Sequence, residues 1–312
     1  MAAGAPHGRS CPMNQAAHSS DPATIMGGLY GDGIIALKGA FAVEWTDALR
    51  EDVEHLFAEA QAVEGGSLPR GPERFYVEVH PERIRGFVDI VTHPWFVAVS
   101  EAVLGKDYRI VELGFDIPFP GAADQPWHRD FASPAATLDE RRLNSLAFNL
   151  TTVDTRPEHG PFEIALGTQW DELRDTPGGM FPPREKWQRY IERAVPKLPQ
   201  RGDISARSAL TIHRGTANRS NEARPVLVVG VDAPDATNAG HHDMQVGLSR
   251  AASRPSARPS DVPDRRAARD GRPAPRHRGP TPARLLSLMA TASRLAAFRR
   301  LWDRGNSGRN LG

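Results

Sequence analysis

The stretch Gln125–Phe131, QPWHRDF, places an imidazole and a carboxylate two residues apart, directly after the turn-forming text FPGAAD. In an extended strand, residues i and i+2 point to the same face. His128 and Asp130 are therefore predicted to present a nitrogen and an oxygen to one point, while Arg129 points away. These two side chains are part of the ligand set of an open metal site. A His and an Asp alone are more typical of a surface pair, so the prediction of a metal site depends on a second imidazole.

The best second imidazole is His213, 85 residues further on, at the end of the apolar run SALTIH. Two imidazoles and one carboxylate form the ligand set of non-haem Fe(II) oxygenases, in which positions stay open for a co-substrate and oxygen. Arg224 follows eleven residues after His213, where another apolar run begins. A buried Arg needs an anionic partner, and its planar guanidinium matches a carboxylate with two parallel hydrogen bonds.

The composition is that of a globular protein of 312 residues, long enough to bury a sizeable core. Its single cysteine, Cys11, excludes an intrachain disulfide framework and favours a reducing compartment. There is no apolar run of membrane-spanning length and no secretory signal in the first residues. We expect a cytoplasmic protein without integral membrane association.

The near-neutral net charge of +1 hides an asymmetry. The segment 249–312 contains 15 Arg and 4 Asp with no Lys or Glu, a net charge of +11, which leaves −10 for the rest of the chain. An acidic body argues against nucleic-acid binding.

The pattern along the chain predicts three regions. Residues 1–25 are small and polar without periodicity and are predicted to be a disordered leader. Residues 26–246 are predicted to form the domain: a short strand in GDGIIALKGAF, helices in EWTDALREDVEHLFAEAQAV and THPWFVAVSEAVLG, then mostly short strands separated by turns. Residues 247–312, rich in Arg, Pro and Ala, are predicted to be a disordered tail or an out-of-frame reading, with one possible basic amphipathic helix.

The ordered set of HxD, a distal His and a following Arg resembles the Fe(II)/2-oxoglutarate-dependent dioxygenases, specifically the phytanoyl-CoA dioxygenase family. The similarity runs from about Leu29 to Pro234. DGIIALKGAF resembles the family's opening strand and QPWHRD its metal strand. GPFEIALGTQ resembles the segment after its loop, and HRGTANRSNEARP its run from distal His to Arg.

This resemblance implies a mainly β fold with flanking helices, a double-stranded β-helix of the jelly-roll, cupin-like type. It implies iron held by His128, Asp130 and His213, with Arg224 binding the distal carboxylate of 2-oxoglutarate. The implied reaction couples decarboxylation of 2-oxoglutarate, with O2, to oxidation of a small-molecule substrate and releases succinate and CO2. Asp130 disfavours halogenation, because related halogenases carry a small residue there. The preferred substrate is a natural-product or lipid-like metabolite.

Two departures from the family pattern concern the co-substrate. The Lys that the family often carries a few residues before HxD is absent from FDIPFPGAAD, and NLTTVDTRPEHG lacks the usual form of the preceding strand. Asn149 and Thr151 are the candidates for secondary contacts to 2-oxoglutarate. Arg219 is the alternative to Arg224.

Other interpretations stay open at this point. The chain could be a cupin-like metal-binding jelly roll that does not use 2-oxoglutarate, either an isomerase or a non-catalytic binding protein. It could also be an inactive interaction protein that works through its basic tail. The cluster His241, His242 and Asp243 is a weaker alternative metal site, while His159 and Gln169 are predicted near the barrel mouth.

Overall fold

The computed structural model describes residues 20–236 and 242–246. The predicted leader up to residue 19 and the predicted tail after residue 246 lie outside the described residues. So does His241 of the HHD cluster.

Six helices and ten strands are formed within the described part of the chain. The helices are α1 Pro22–Gly31, α2 Val43–Gln61, α3 Phe87–Val91, α4 Pro94–Leu104, α5 Ala135–Glu140 and α6 Trp187–Arg193. The strands are β1 Ile34–Leu37, β2 Leu68–Pro69, β3 Arg74–Glu78, β4 Arg109–Pro118, β5 Ser145–Thr151, β6 Phe162–Ala165, β7 Ala194–Lys197, β8 Ile204–Ser208, β9 His213–Gly215 and β10 Val226–Asp232.

The strands form two antiparallel sheets. The large sheet has seven strands in the order β1-β8-β5-β10-β4-β3-β2, and the small sheet has three in the order β7-β6-β9. Strand β10 lies at the centre of the large sheet, where it pairs with β4 and β5 over its full length. The non-sequential order is that of a jelly roll, in which strands that are distant in sequence become neighbours.

Alternation along the central strands separates the hydrophobic core from a cavity. In β10, Leu227, Val229 and Val231 are buried in the main core, whereas Val226 and Val228 line the cavity. Strand β5 repeats the pattern, with Phe148 in the core and Asn149 on the cavity. Because strand side chains point alternately to opposite faces, one face of the large sheet packs on helices and the other is left for a ligand.

Helices α1, α2 and α4 cover the core face of the large sheet. Phe148 of β5 stacks on Phe96 of α4 with ring centroids 4.0 Å apart, and meets Trp95 edge to face at 6.0 Å. Burial of these aromatic side chains supplies much of the hydrophobic stabilisation between the layers.

Two helix starts differ from the sequence interpretation. Helix α1 begins at Pro22, within the last residues of the predicted leader, because the Asp21 carboxylate accepts a hydrogen bond from Thr24 N and the apolar Ile25 is buried. At α4, the predicted helical text begins at Thr92, but His93 occupies the cap position and accepts from Trp95 N at 3.2 Å, while Thr92 ends α3.

Candidate active site

A cavity of about 360 Å³ lies on the inner face of the large sheet and reaches the small sheet. His128, Asp130, His213 and Arg224, the four residues singled out by the sequence motifs, all line it. Their convergence follows from the jelly-roll strand order, because the HxD segment lies 85 residues before His213.

Backbone hydrogen bonds hold the HxD segment beside β9. His128 N donates to His213 O at 2.9 Å, and His213 N donates to His128 O at 2.8 Å. Gln125 N donates to Gly215 O at 2.8 Å and Asp130 N to Ala209 O at 3.0 Å. The predicted strand is therefore reduced to a single bridge at His128, because irregular backbone surrounds it on both sides. The two imidazole rings come within 4.4 Å, centroid to centroid.

Both imidazoles are oriented by a backbone carbonyl two residues earlier. His128 Nδ1 lies 2.8 Å from Pro126 O, and His213 Nδ1 lies 2.8 Å from Thr211 O. A carbonyl can only accept, so Nδ1 carries the proton and Nε2 carries the lone pair that a metal requires. Burial lowers the pKa of both rings, that of His128 well below its ordinary value, so they are neutral at neutral pH.

Asp130 is paired with Arg207, a residue that the motifs did not single out. Arg207 Nη1 donates to Asp130 Oδ2 at 2.6 Å, and Nη2 lies 3.3 Å from Oδ1. Burial by itself raises the pKa of the Asp130 carboxyl, but the charge of Arg207 and the contact with His213 outweigh burial and hold the pKa well below its usual range. Asp130 Oδ1 lies 3.4 Å from His213 Nε2. The carboxylate is therefore ionised and turned partly towards the imidazoles.

These donors match a divalent iron-type site in chemistry: two neutral imidazole nitrogens and one carboxylate oxygen. As they stand, with Asp130 bound to Arg207, no three His, Cys, Asp or Glu side chains within the described residues close tightly enough to grip a metal ion. Arg129, between the ligands, points away as expected and donates to Ser133 Oγ and Asp171 O.

Arg224 is a buried cation in the wall of the cavity. Its side chain is 3 % exposed, and Nε donates to the carbonyl oxygens of His159 and Gly160 at 3.3 and 3.1 Å. Within the described part of the chain, its terminal nitrogens make no hydrogen bond and no ion pair. Burial, reinforced by the charge of Arg74 and opposed by that of Asp116, lowers the pKa of Arg224 to about 10. Arg224 stays charged at neutral pH, and no carboxylate among the described residues pairs with it directly.

Comparison with known proteins identifies the family to which the chain belongs. Residues 29–226 match the family model described as phytanoyl-CoA dioxygenase. The chain belongs to the phytanoyl-CoA dioxygenase family. The matched residues include the HxD segment, the distal His and Arg224.

Solved structures with a similar fold include an enzyme of nogalamycin biosynthesis. The carbocyclase SnoK from nogalamycin biosynthesis, a non-haem α-ketoglutarate-dependent enzyme, is 16% identical with a TM-score of 0.55, covering 73% of this chain and 88% of that one. AviO1 from Streptomyces viridochromogenes Tue57 is 17% identical with a TM-score of 0.52, covering 70% and 98%. EctD from S. alaskensis, solved with 2-oxoglutarate and 5-hydroxyectoine, is 15% identical with a TM-score of 0.53, covering 66% and 74%.

The family match and these neighbours confirm the predicted fold class, a mainly β jelly roll with flanking helices. Among the helices that the structure describes, none is long and apolar enough to span a membrane.

The predicted secondary contacts to 2-oxoglutarate both line the cavity. Asn149 is half-buried on β5, where its neighbours in the ladder are Ser205 and Val228. Thr151 is buried, and its hydroxyl donates to Val153 O at 3.0 Å. Thr151 stands opposite Val226, two residues after Arg224, so it lies near the Arg224 end of the cavity.

Three alternative residues have other surroundings. Arg219 is exposed. Gln169 is buried, and its amide donates to the carbonyl oxygens at the end of α1, which makes it a structural residue. His159 is buried as well, and its carbonyl oxygen accepts from Arg224. Gln169 and His159 were predicted near the barrel mouth, but both are buried and neither lines the cavity.

Arg74 is a second buried Arg that the sequence motifs did not single out. It links the large sheet to the segments that carry His128 and His213. Arg74 Nη1 donates to Gln125 Oε1 at 2.8 Å and lies 3.3 Å from Asp116 Oδ2, while Nη2 donates to Thr216 O. Gln125 Oε1 also accepts from Gly215 N at 3.0 Å. A Cβ on Gly215 would lie 1.9 Å from Arg74 Nη1, so this contact requires glycine.

Proposed function

We propose that the protein is an Fe(II)/2-oxoglutarate-dependent dioxygenase that hydroxylates, or otherwise oxidises, a small-molecule substrate and releases succinate and CO2. In this assignment His128, Asp130 and His213 hold Fe(II). Arg224 binds the distal carboxylate of 2-oxoglutarate, with Asn149 and Thr151 as secondary polar contacts. Family membership supports the reaction type, and the donor chemistry of the cavity supports the residue roles.

Iron, when bound with 2-oxoglutarate and O2, supplies the oxidising power that attacks an unactivated C–H bond. The protein's contribution is positioning. Pro126 O and Thr211 O fix the protons of both imidazoles on Nδ1, so that each Nε2 remains a donor to metal. The burial of Arg224 strengthens its interaction with a carboxylate, because charges interact more strongly away from water.

Arg224 carries the argument for a 2-oxoglutarate enzyme. A buried cation without a direct anionic partner is costly, and a bound dicarboxylate removes that cost. A jelly roll that only binds metal has no use for this side chain. The alternative of a cupin-like isomerase or binding protein therefore leaves Arg224 unexplained, whereas 2-oxoglutarate explains both its burial and its place in the cavity wall.

The deciding experiment measures succinate and CO2 release from 2-oxoglutarate by the protein supplied with Fe(II) in air. We expect succinate to form with wild type and not with Asp130→Ala. In parallel, anaerobic titration of the metal-loaded protein measures 2-oxoglutarate binding. Absence of both turnover and binding would reject the proposal and favour the metal-binding alternative.

A further inference from the structure

Arg207 is a buried cation in the middle of the cavity wall, and the family motifs give it no role. Its side chain is 6% exposed, and it lies on β8, opposite Ile34 of β1 and Ala147 of β5. Within the described residues, Asp130 is the only carboxylate paired with it. The guanidinium carbon also lies 5.5 Å from the centroid of the Phe162 ring.

The proposed cofactors change the charge balance around Arg207. A divalent metal brings two positive charges and draws on Asp130, the anion that Arg207 relies on in this structure. The metal, Arg207 and Arg224 together carry four positive charges, against one negative charge on Asp130 and two on 2-oxoglutarate. Glu112 and Asp232 also line the cavity, but they lie on β4 and β10, where they accept hydrogen bonds from the hydroxyls of Tyr76 and Ser145. Arg74 already has Asp116 as its partner. One positive charge is left without compensation beside the metal, and a buried charge of this kind favours an anionic ligand.

The space beside Arg207 is open on the side of β5 and β10, because the residues that lie opposite it there are small. Ala147 pairs with Arg207, and Gly230 pairs with Ala147 in the next strand. Both line the cavity. Beyond them, Glu112 faces Gly230 and accepts a hydrogen bond from the Tyr76 hydroxyl. A ligand group can therefore reach Arg207 over Ala147 and Gly230, and two strands separate it from the carboxylate of Glu112.

We propose that Arg207 binds a carboxylate of the substrate, so that the enzyme acts on a small carboxylic acid. The inference rests on the proposed function, because the charge count includes the metal and 2-oxoglutarate. The rest of such a substrate meets an apolar wall formed by Phe162, Met180 and Phe181, which also line the cavity. Phe181 stacks beside His128 with ring centroids 5.8 Å apart, which brings that wall next to the metal ligands.

The test uses full-length protein loaded with Mn(II) and 2-oxoglutarate without oxygen, so that ligand binding is measured and no turnover occurs. The probes are straight-chain and phenyl-substituted carboxylic acids, each compared with the alcohol and the amine of the same carbon skeleton. Calorimetric titration gives their affinities. We expect the best acid to bind at least about tenfold more tightly than its alcohol, as a charge-assisted pair with a guanidinium would give.

Variants assign that preference to Arg207. Arg207→Gln should remove it, Arg207→Lys should retain part of it, and Ala147→Leu should weaken acid binding by filling the space beside the guanidinium. Arg214→Gln is the matched control: Arg214 is also a partly buried Arg with a carboxylate partner, Glu163, but it is not part of the cavity wall. That variant should keep the preference. Circular dichroism checks that each variant is folded.

Several results would overturn the inference while leaving the proposed function intact. These are equal binding of acid and alcohol, a preference for the amine, failure of every acid to bind, or an acid preference that survives in Arg207→Gln. Loss of 2-oxoglutarate affinity in Arg207→Gln would also overturn it, since Arg207 would then serve the co-substrate. Failure of wild type to bind Mn(II) and 2-oxoglutarate at all would instead reject the proposed function.

Discussion

The large and small sheets differ in how they are held together. The large sheet is a continuous ladder in which β10 has seven paired residues on each side. The small sheet consists of three strands of three or four residues, and the HxD segment is attached to it by one bridge and separate backbone hydrogen bonds. Stability is concentrated in the first, and the candidate metal ligands lie in the second. A site built this way can lose its chemistry without losing its fold.

Arg74 is a polar link between these regions, as is the pair of Arg207 on β8 with Asp130. It lies on β3 of the large sheet and donates to Gln125 and Thr216, which flank the candidate ligands in sequence. Its burial explains why Gly215, which it packs against, has no room for a side chain. The large sheet thereby sets the spacing between the segments that carry His128 and His213.

The largest expected effect is the loss of metal binding in a variant that keeps its fold. His213→Ala should abolish metal binding, a greater loss than the roughly 10–100-fold cost of removing an outer partner of a ligand. Metal content after dialysis against Fe(II) or Mn(II) is the measurement. The thermal midpoint of the metal-free protein should change by only a few degrees, since the imidazole itself makes one backbone hydrogen bond. Retention of metal would remove His213 from the ligand set.

Phe148→Ala tests the opposite region. This fully buried ring joins β5 to Trp95 and Phe96 of α4, so its loss should lower the free energy of unfolding by about 3–5 kcal/mol. Denaturant titration measures the change. Phe162→Ala on β6 of the small sheet is the matched control, because that ring is only half-buried. An equal cost at both positions would contradict the division between the sheets.

Arg224→Ala should reduce 2-oxoglutarate binding while the metal remains. Loss of one partner of a buried charge-assisted pair costs on the order of 2–5 kcal/mol. Lys at this position should recover only part of the affinity, because an ammonium lacks the guanidinium's two parallel donors. Titration of the metal-loaded proteins with 2-oxoglutarate gives both numbers. Unchanged affinity in the alanine variant would take the co-substrate role away from Arg224.

What could be predicted from sequence follows the same division between the sheets. The text RPVLVVGVDA predicted β10, because a run of β-branched residues between turns is a strong strand signal. The HxD segment was predicted as a strand but has only a bridge, since irregular backbone with a few specific hydrogen bonds leaves no periodic signal. The strand of Arg74, RFYVE, was missed altogether.

The electrostatic partners were beyond sequence reasoning for a different reason. Arg207 and Asp130 are 77 residues apart, and nothing in the text ISARS distinguishes an inward guanidinium from an exposed one. Only the strand order brings β8 close to the segment that carries His128 and Asp130. Arg224 was accessible because the family pattern fixes its spacing from His213, whereas Arg207 and Arg74 belong to no such pattern.

The smallest expected effect concerns His242, the described imidazole of the alternative cluster. His242 lines the cavity beside β4, where Nδ1 lies 3.0 Å from Leu113 O and 3.2 Å from Leu113 N, and Nε2 lies 3.7 Å from Glu78. These contacts attach the segment 242–246 to the large sheet, and none of them involves His128 or Asp130.

His242→Ala should therefore leave metal content unchanged and lower the free energy of unfolding by about 1 kcal/mol, the net value of one intramolecular hydrogen bond. Metal content and denaturant titration are measured on the same preparation as His213→Ala. Both imidazoles contact backbone through Nδ1, His213 beside the small sheet and His242 beside the large sheet, so the two variants compare the two regions. If His242→Ala lost its metal while His213→Ala kept it, the distal metal ligand would lie beside the large sheet. The small sheet would then not be the region that carries the metal ligands.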